Sequence, residues 1–542
     1  MVSSSSEPKY PPGTSTPFYL ARSEICVDST GKCIGDGVFA GGNYEPGSHI
    51  FTLNRPLVGS LDTERLIDTC AHCYVWTEGS GIGSRLYVKE GTKVQTCAGC
   101  KKFRYCSKDC QNDAWNQGHK HECKNLRSVN DKSVPKAVIA TMEILTRRKH
   151  GLITDNAWEL LCCLDTHIED FKANGKYGGI ELMALGTSQL SFTQDTFSKD
   201  FVAGMYARVL TNSLTVVTPT FDPLGIMIDP YLCHINHSCD PNAFVVMDGP
   251  EVAIRALRPI KKDEEIVVSY IDITNPYSRR QSELKARWFF TCKCSKCQKG
   301  PTLQEDNWTI QPGNLAQKWK EVADIIVQNE NFAQDPANYV GESPEERRVA
   351  ALQGKAFAGY EDVQRMTDPH QAVKGIEDGM RLCHQSGLWP VYRQPYAAFR
   401  DDLIVNMLTV GNFPIAFPQC AKRYRYILPK LYPEVAHPIR VVQTWQTAML
   451  TLYLASQEGT MGLAQPSVDF SLIAFMLIIE VKNVSAQSHG ENSAFAKSVK
   501  KKYDEIVTDL ESKLGPNVDD FVARAMPRQR EIFMEMADWM QY

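Results

Sequence analysis

The chain has 542 residues, 43% of them hydrophobic and 23% charged, with a formal net charge of −4. That length exceeds what one hydrophobic core supports and predicts roughly two to four domains of ordinary globular composition. The charge balance excludes a global pull onto nucleic acid. The longest apolar run, Leu472 to Ile479, falls far short of the ~20 residues a bilayer span needs.

Met1 to Thr16 is Ser/Pro-rich without an apolar core and reads as a flexible tail, not a secretory signal, so the cytosol, the nucleus or both are expected. From about 17 to 65, Gly31, Gly35, Gly37, Gly41, Gly42 and Gly47 punctuate short apolar pieces, a pattern of strands and turns. A Cys/His-rich module covers 70 to 123. Residues 135 to 210 read as mainly helical, with Val138, Met142 and Leu145 spaced along one helical face. Arg147-Arg148-Lys149-His150 suits a helix end, where cations complement the dipole.

Strand character dominates from about 211 to 275. Phe244–Met247 and Val252–Ile254 flank Asp248-Gly249-Pro250 and predict a hairpin, and Ile266–Tyr270 predicts a further strand. Asp263-Glu264-Glu265 reads as a solvated turn. Beyond Cys297 the spacing is helical, as in Leu315, Trp319, Val322 and Ile326 and again in Val442, Trp445, Met449 and Leu452. Residues 485 to 493 read as a loop. Lys500-Lys501-Lys502 reads as the wet face of a helix.

Eleven of the 18 cysteines fall in two clusters, which argues for metal sites rather than disulfides. In the first, Cys70-x2-Cys73, Cys97-x2-Cys100, Cys106-x3-Cys110 and His119-x3-Cys123 supply eight ligands, enough for two closed, structural zinc sites. His121 and His72 stay open as the histidine ligand. The second cluster is Cys239 with Cys292-x-Cys294-x2-Cys297. No set of ligands leaves the open position that a catalytic zinc requires.

The first cluster resembles the MYND finger. Asn236-His237-Ser238-Cys239-Asp240-Pro241-Asn242 resembles the NHSC-x-PN motif of SET-domain methyltransferases, Gly35-Asp36-Gly37 resembles their GxG segment, and Glu264 to Tyr270 their last strand. Together these blocks look like a SET and MYND-domain protein-lysine methyltransferase. The resemblance implies an α+β multidomain fold: a β-rich SET domain split by a small MYND zinc finger, then a post-SET zinc loop and an all-α, tetratricopeptide-like C-terminal domain. The boundaries it implies, after the 1–16 tail, are 17–69 and 211–275 for SET, 70–123 for MYND and 124–210 for a helical insertion. The post-SET loop covers 276–300 and the helical domain 301–542.

The resemblance further implies one zinc on Cys70, Cys73, Cys106 and Cys110, one on Cys97, Cys100, His119 and Cys123, and a third on Cys239, Cys292, Cys294 and Cys297. S-adenosylmethionine would face Gly35, Asp36, Gly37, Asn212, Asn236, His237, Tyr270 and Phe290, with Tyr270 as catalytic residue and Trp288 lining the lysine channel. The chain departs from the family at Ile34, Cys233 and Trp288; a tryptophan attracts a cation but supplies no phenolic oxygen. Expected partners are a protein or peptide with a target lysine, histone or not, and a proline-rich peptide at the MYND finger. A monomer is expected, with no membrane and no nucleic acid as main partner. The alternative is a catalytically weak scaffold that binds peptides.

Overall fold

The computed structural model describes residues 18–25, 35–77, 91–129, 133–300, 344–457, 467–515 and 518–542. The N-terminal tail, Ile34 and the helical spacing of Leu315 to Ile326 lie outside them. The chain divides into two compact units. One runs up to Val268 and includes Arg287–Phe289; the other comprises Ser269–Ala286 and Phe290–Tyr542.

The first unit is built from short strands: β1 (Phe18–Arg22), β2 (Asp36–Ala40), β3 (His49–Leu53), β4 (Val58–Leu61), β5 (Gln95–Thr96), β6 (Arg104–Tyr105), β7 (Leu214–Val217), β8 (Pro223–Ile228), β9 (Asn236–His237), β10 (Ala243–Asp248), β11 (Glu251–Ala256) and β12 (Glu265–Val268). They form sheets ordered β1-β2-β12-β9, β10-β11-β3 and β4-β8-β7, plus the small pair β5-β6. The hairpin expected around Asp248-Gly249 is β10–β11, with Gly249 at φ 60°, a conformation glycine adopts at no steric cost.

The first sheet positions the site. Antiparallel pairing sets Val38 of β2 opposite Ile266 of β12, and parallel pairing sets Val268 of β12 opposite His237 of β9. Phe18, Val38, Ile50, Phe51 and Ile266 are fully buried behind it, with Phe18 and Phe51 stacked at 4.2 Å. The strand ends at Val268, two residues short of the sequence-based expectation, because the chain bends at Tyr270 and Ile271, where the Ser269 hydroxyl donates to the Ile271 carbonyl at 2.6 Å.

Among the described residues, seven α-helices complete this unit: α1 (Lys108–Ala114), α2 (Lys120–Arg127), α3 (Lys136–Lys149), α4 (Asp155–Cys163), α5 (Ile168–Ala173), α6 (Tyr177–Ser191) and α7 (Lys199–Asn212). Hydroxyls of Ser107, Thr154 and Ser198 cap α1, α4 and α7. Helix α3 is not the one-faced helix its spacing suggested. Ala137 through Thr146 are all buried, because strands and helices flank it on several sides.

The second unit begins with α8 (Tyr277–Trp288), whose last two residues fall in the first, and α9 (Ser295–Gln298). It continues with α10 (Pro344–Gln364), α11 (Pro369–Ser386), α12 (Tyr396–Thr409), α13 (Phe413–Lys422), α14 (Leu428–Leu431), α15 (Pro438–Ser456), α16 (Phe470–His489), α17 (Ala494–Leu514) and α18 (Val518–Met536). From α10 to α13 each helix packs on the next, as do α15, α16 and α17. Length and composition alone would let α16 cross a membrane, yet Leu472 through Ile478 are buried without a break. The expected loop at 485–493 is half wrong: Ser485 to His489 continue α16, with Ser485, Ser488 and His489 buried. Tertiary burial overrides their turn-forming composition, and the Ser485 hydroxyl bonds back to Lys482 O inside the helix.

Candidate active site and zinc centres

The segment 229–242 is held by its own polar side chains. Buried Asp229, just past β8, accepts the backbone N–H groups of Tyr231 at 3.0 Å, Leu232 at 3.4 Å and Leu57 at 3.2 Å. Burial pushes its carboxyl up to about 6 against the pull of those three donors. The turn it caps delivers Cys233, whose thiol donates to Asn212 O at 3.2 Å. Burial pushes that thiol up to about 12, so it stays a neutral donor. The cysteine therefore fills a hydrogen-bonding position.

Asn236 ties three distant pieces together. Its Nδ2 donates to Asp36 O at 3.1 Å and to Glu265 Oε1 at 2.8 Å. The Glu265 carboxylate also receives the Ser23 hydroxyl at 2.9 and 3.0 Å, and Ser23 N donates to Gly35 O at 3.0 Å. A Cβ on Gly37 would lie 2.2 Å from Glu265 Oε1 and 3.0 Å from Asn236 Nδ2, so any side chain there would displace the Glu265 carboxylate from Asn236. Gly35, Asp36, Gly37 and Asn236 thus form one polar cradle. His237, one residue on, sets Nε2 3.3 Å from Cys239 Sγ. Asn242 staples the segment to β12 by donating to Glu265 O and accepting from Val267 N, both at 2.8 Å.

Glu265 was missed by sequence reasoning, and the solvated-turn reading of 263–265 needs correction. Asp263 alone is at the turn, at φ 66°, accepting the Tyr19 hydroxyl. Glu264 accepts from Asn242 and Arg258, and Glu265 points into the cradle. Strand alternation after Asp263 was the available signal, since β12 opens with Glu265.

The other singled-out residues sit as follows. Asn212 closes α7, with its Nδ2 turned back to Arg208 O at 3.0 Å and Thr211 Oγ1 at 2.9 Å; its carbonyl meets Cys233. Tyr270 is half-buried, two residues beyond the rung that faces His237. Trp288 is half-buried at the end of α8 and carries the Arg287 guanidinium 4.5 Å from its ring centroid. Phe289 packs on Phe171, and Phe290 is half-buried.

The cysteines gather as tetrads. Ligand atoms of Cys70, Cys73, Cys106 and Cys110 lie within 4.8 Å of one another, as do those of Cys97, Cys100, His119 and Cys123. Thiolates around a tetrahedral zinc stand about 3.8 Å apart, and the spacings Cys73–Cys106 (3.5 Å), Cys106–Cys110 (3.5 Å) and Cys97–Cys123 (3.8 Å) match. The histidine is His119, with Nε2 3.5 Å from Cys97 Sγ and 3.7 Å from Cys100 Sγ; His121 instead stacks on His150, and His72 faces Asp113. Burial pushes the Cys97 thiol up, but the N–H groups of Cys100 and Gly99 and the His119 imidazole more than reverse this and bring it to about 6, where a thiolate ligand is favoured. A Cβ on Gly99 would lie 2.5 Å from Cys123 Sγ. In the second unit Cys292, Cys294 and Cys297 also lie within 4.8 Å of one another, and Gln281 grips Cys292 N and O at 2.9 Å each.

A family model described as SET domain matches residues 35–271. "SET domain and MYND-type zinc finger protein 6" of Schizosaccharomyces pombe is 32% identical over 285 residues, covering 52% of this chain and 53% of that protein. "Histone-lysine N-methyltransferase SMYD3" of Homo sapiens is 29% identical over 247 residues, 43% of this chain and 54% of that protein. "Histone-lysine N-methyltransferase ASHR1" of Arabidopsis thaliana is 23% identical over 494 residues, 87% and 93% respectively. The chain spans about half the length of the first two relatives.

Proposed function

We propose that the chain is an S-adenosylmethionine-dependent protein-lysine N-methyltransferase of the SET and MYND-domain type, a reading supported by the SET domain match over residues 35–271 and by the similarity to SET and MYND relatives. The observation that carries the reading is the cradle in which Asn236 bonds Asp36 and Glu265 around Gly37, whose Cβ position lies against the Glu265 carboxylate. S-adenosylmethionine supplies a methyl group on a cationic sulfonium. On this reading Gly35, Asp36, Gly37, Asn212, Asn236, His237 and Phe290 hold the cofactor, mainly through backbone groups left uncovered by glycine.

The target lysine enters as an ammonium and loses a proton to water. Its nitrogen lone pair then forms the new N–C bond as the C–S bond breaks, and sulfur keeps the electron pair. Tyr270 orients that nitrogen through its hydroxyl, and Trp288 attracts the cation through its ring, an interaction of about 0.5–2 kcal/mol. The zinc tetrads are closed and structural. On the same reading Cys292, Cys294 and Cys297, with Cys239, would hold a third structural ion. Partners on this reading are a protein or peptide carrying the lysine and a proline-rich peptide at the zinc module, met by a monomer in the cytoplasm or nucleus.

The test is label transfer from S-adenosylmethionine into proteins of a cell extract. Wild type should label proteins, and Tyr270→Phe, with full zinc, should label them about 100-fold more slowly. Bound cofactor without any labelled protein would overturn the reading in favour of a scaffold.

A further inference from the structure

A run of buried polar groups leads from the His119 tetrad to the segment that carries Asn236 and His237. His119 presents Nε2 to the thiols. Its other ring nitrogen, Nδ1, makes no hydrogen bond to a described residue, and Glu122 Oε2 stands opposite it at 3.9 Å. A histidine on a metal ordinarily directs that second nitrogen at a carboxylate, which fixes the ring. Glu122 is 1% exposed, and its Oε1 accepts Arg147 Nε at 2.7 Å.

Arg147 then forks. Nη2 reaches Glu143 Oε2 at 3.3 Å, and Nη1 donates to Leu57 O at 2.7 Å. The Leu57 N–H donates to Asp229 Oδ2, and Asp229 Oδ1 collects Tyr231 N and Leu232 N. Asp229 O receives Cys233 N at 3.0 Å, and the Cys233 thiol holds the end of α7. Every side chain between the two ends is buried or nearly so. Buried ion pairs of this kind contribute little stability over packed apolar residues of equal volume, whereas their hydrogen-bond geometry is directional. The run links the zinc module (His119, Glu122), helix α3 (Arg147), the approach to β4 (Leu57) and the turn after β8 (Asp229).

We propose that Glu122, Arg147 and Asp229 are positioning residues that fix the backbone of 229–237 against the His119 zinc site, so that the state of that site sets cofactor affinity. The proposal rests on the cofactor reading above and adds a dependence on the zinc module. Arg147 would then have a role beyond the helix-end one its sequence context suggested.

Two variants test it. His119→Cys keeps four zinc ligands but removes the ring that faces Glu122. Asp229→Asn keeps the shape but turns one acceptor into a donor, so either Leu57 N–H or the Tyr231–Leu232 pair loses its bond. Zinc content by metal analysis, S-adenosylhomocysteine affinity by calorimetry, and amide hydrogen exchange at Leu57 and Tyr231–Cys233 are the readouts. With full zinc, each variant should weaken binding about tenfold and speed exchange at those amides. The double variant should be no weaker than the worse single one, because both break one chain. Unchanged affinity and exchange, or losses that multiply in the double variant, overturns the proposal. If Asp229→Asn does not fold, Arg147→Lys, which keeps the charge and loses the fork, replaces it with the same expectations. If wild type binds no S-adenosylhomocysteine, the cofactor reading fails, and the exchange measurement alone decides the chain of contacts.

Discussion

Gly37 shows how much one missing Cβ can decide. In Gly37→Ala the new methyl would overlap the Glu265 carboxylate, which must leave and release both Asn236 and Ser23. An unsatisfied partly buried amide costs about 1–3 kcal/mol. A titration with S-adenosylhomocysteine should therefore show at least a tenfold weaker complex, with a lower Tm. Gly42→Ala, whose Cβ meets nothing within 4 Å, should match wild type in both. At this scale the sequence was legible where chemistry leaves a spacing signature, as in the CxxC pairs. It did not reveal the partners of Glu265 and Arg147, which lie far along the chain, and the burial of these side chains reverses the usual expectation for a charged residue.

Among elements, α15 carries a titratable cap. The Nδ1 atom of His437 accepts the Ile439 N–H, which requires a neutral ring, and burial lowers its pKa to about 4. A histidine depressed in the folded chain is protonated first in the unfolded chain. Its contribution is thus present above about pH 6.5 and is lost as pH falls toward 4, by up to about 3 kcal/mol. Urea unfolding of the full chain should show a midpoint that drops across this window, and His437→Asn, a cap that does not titrate, should flatten the drop. Helices such as α15 were readable because Val442 and Trp445 repeat on their buried side. The end of α16 was not, since serines and a histidine enter a core whose packing only the tertiary structure supplies.

For the molecule as a whole, metal and fold should be inseparable. Among its described residues, the segment from Cys70 to Cys123 has only two-residue strands and short helices around its tetrads. Metal binding there supplies the folding free energy that so small a core lacks. Metal analysis of the purified chain should find three zinc equivalents, and Cys70→Ser should retain two. A chelator that strips zinc should lower the Tm and expose the Tyr74 and Tyr105 rings, now buried, to solvent. Fewer than two equivalents in wild type would contradict the two tetrads of the first unit.

The sheet that builds the cradle also imposes a schedule on synthesis. Strand β2 leaves the ribosome early, but its partner β12 is encoded beyond the zinc module and five helices, with Val38 waiting for Ile266. At translation speeds of about 5–20 residues per second, the wait is roughly 10 to 50 seconds. Throughout that interval one edge of the β1–β2 pair hangs open on the nascent chain, an apolar ribbon primed for mispairing with neighbouring polypeptides. Extra chaperone during elongation should therefore raise soluble yield more than substitutions that stabilise the finished fold, as parallel expression trials would show.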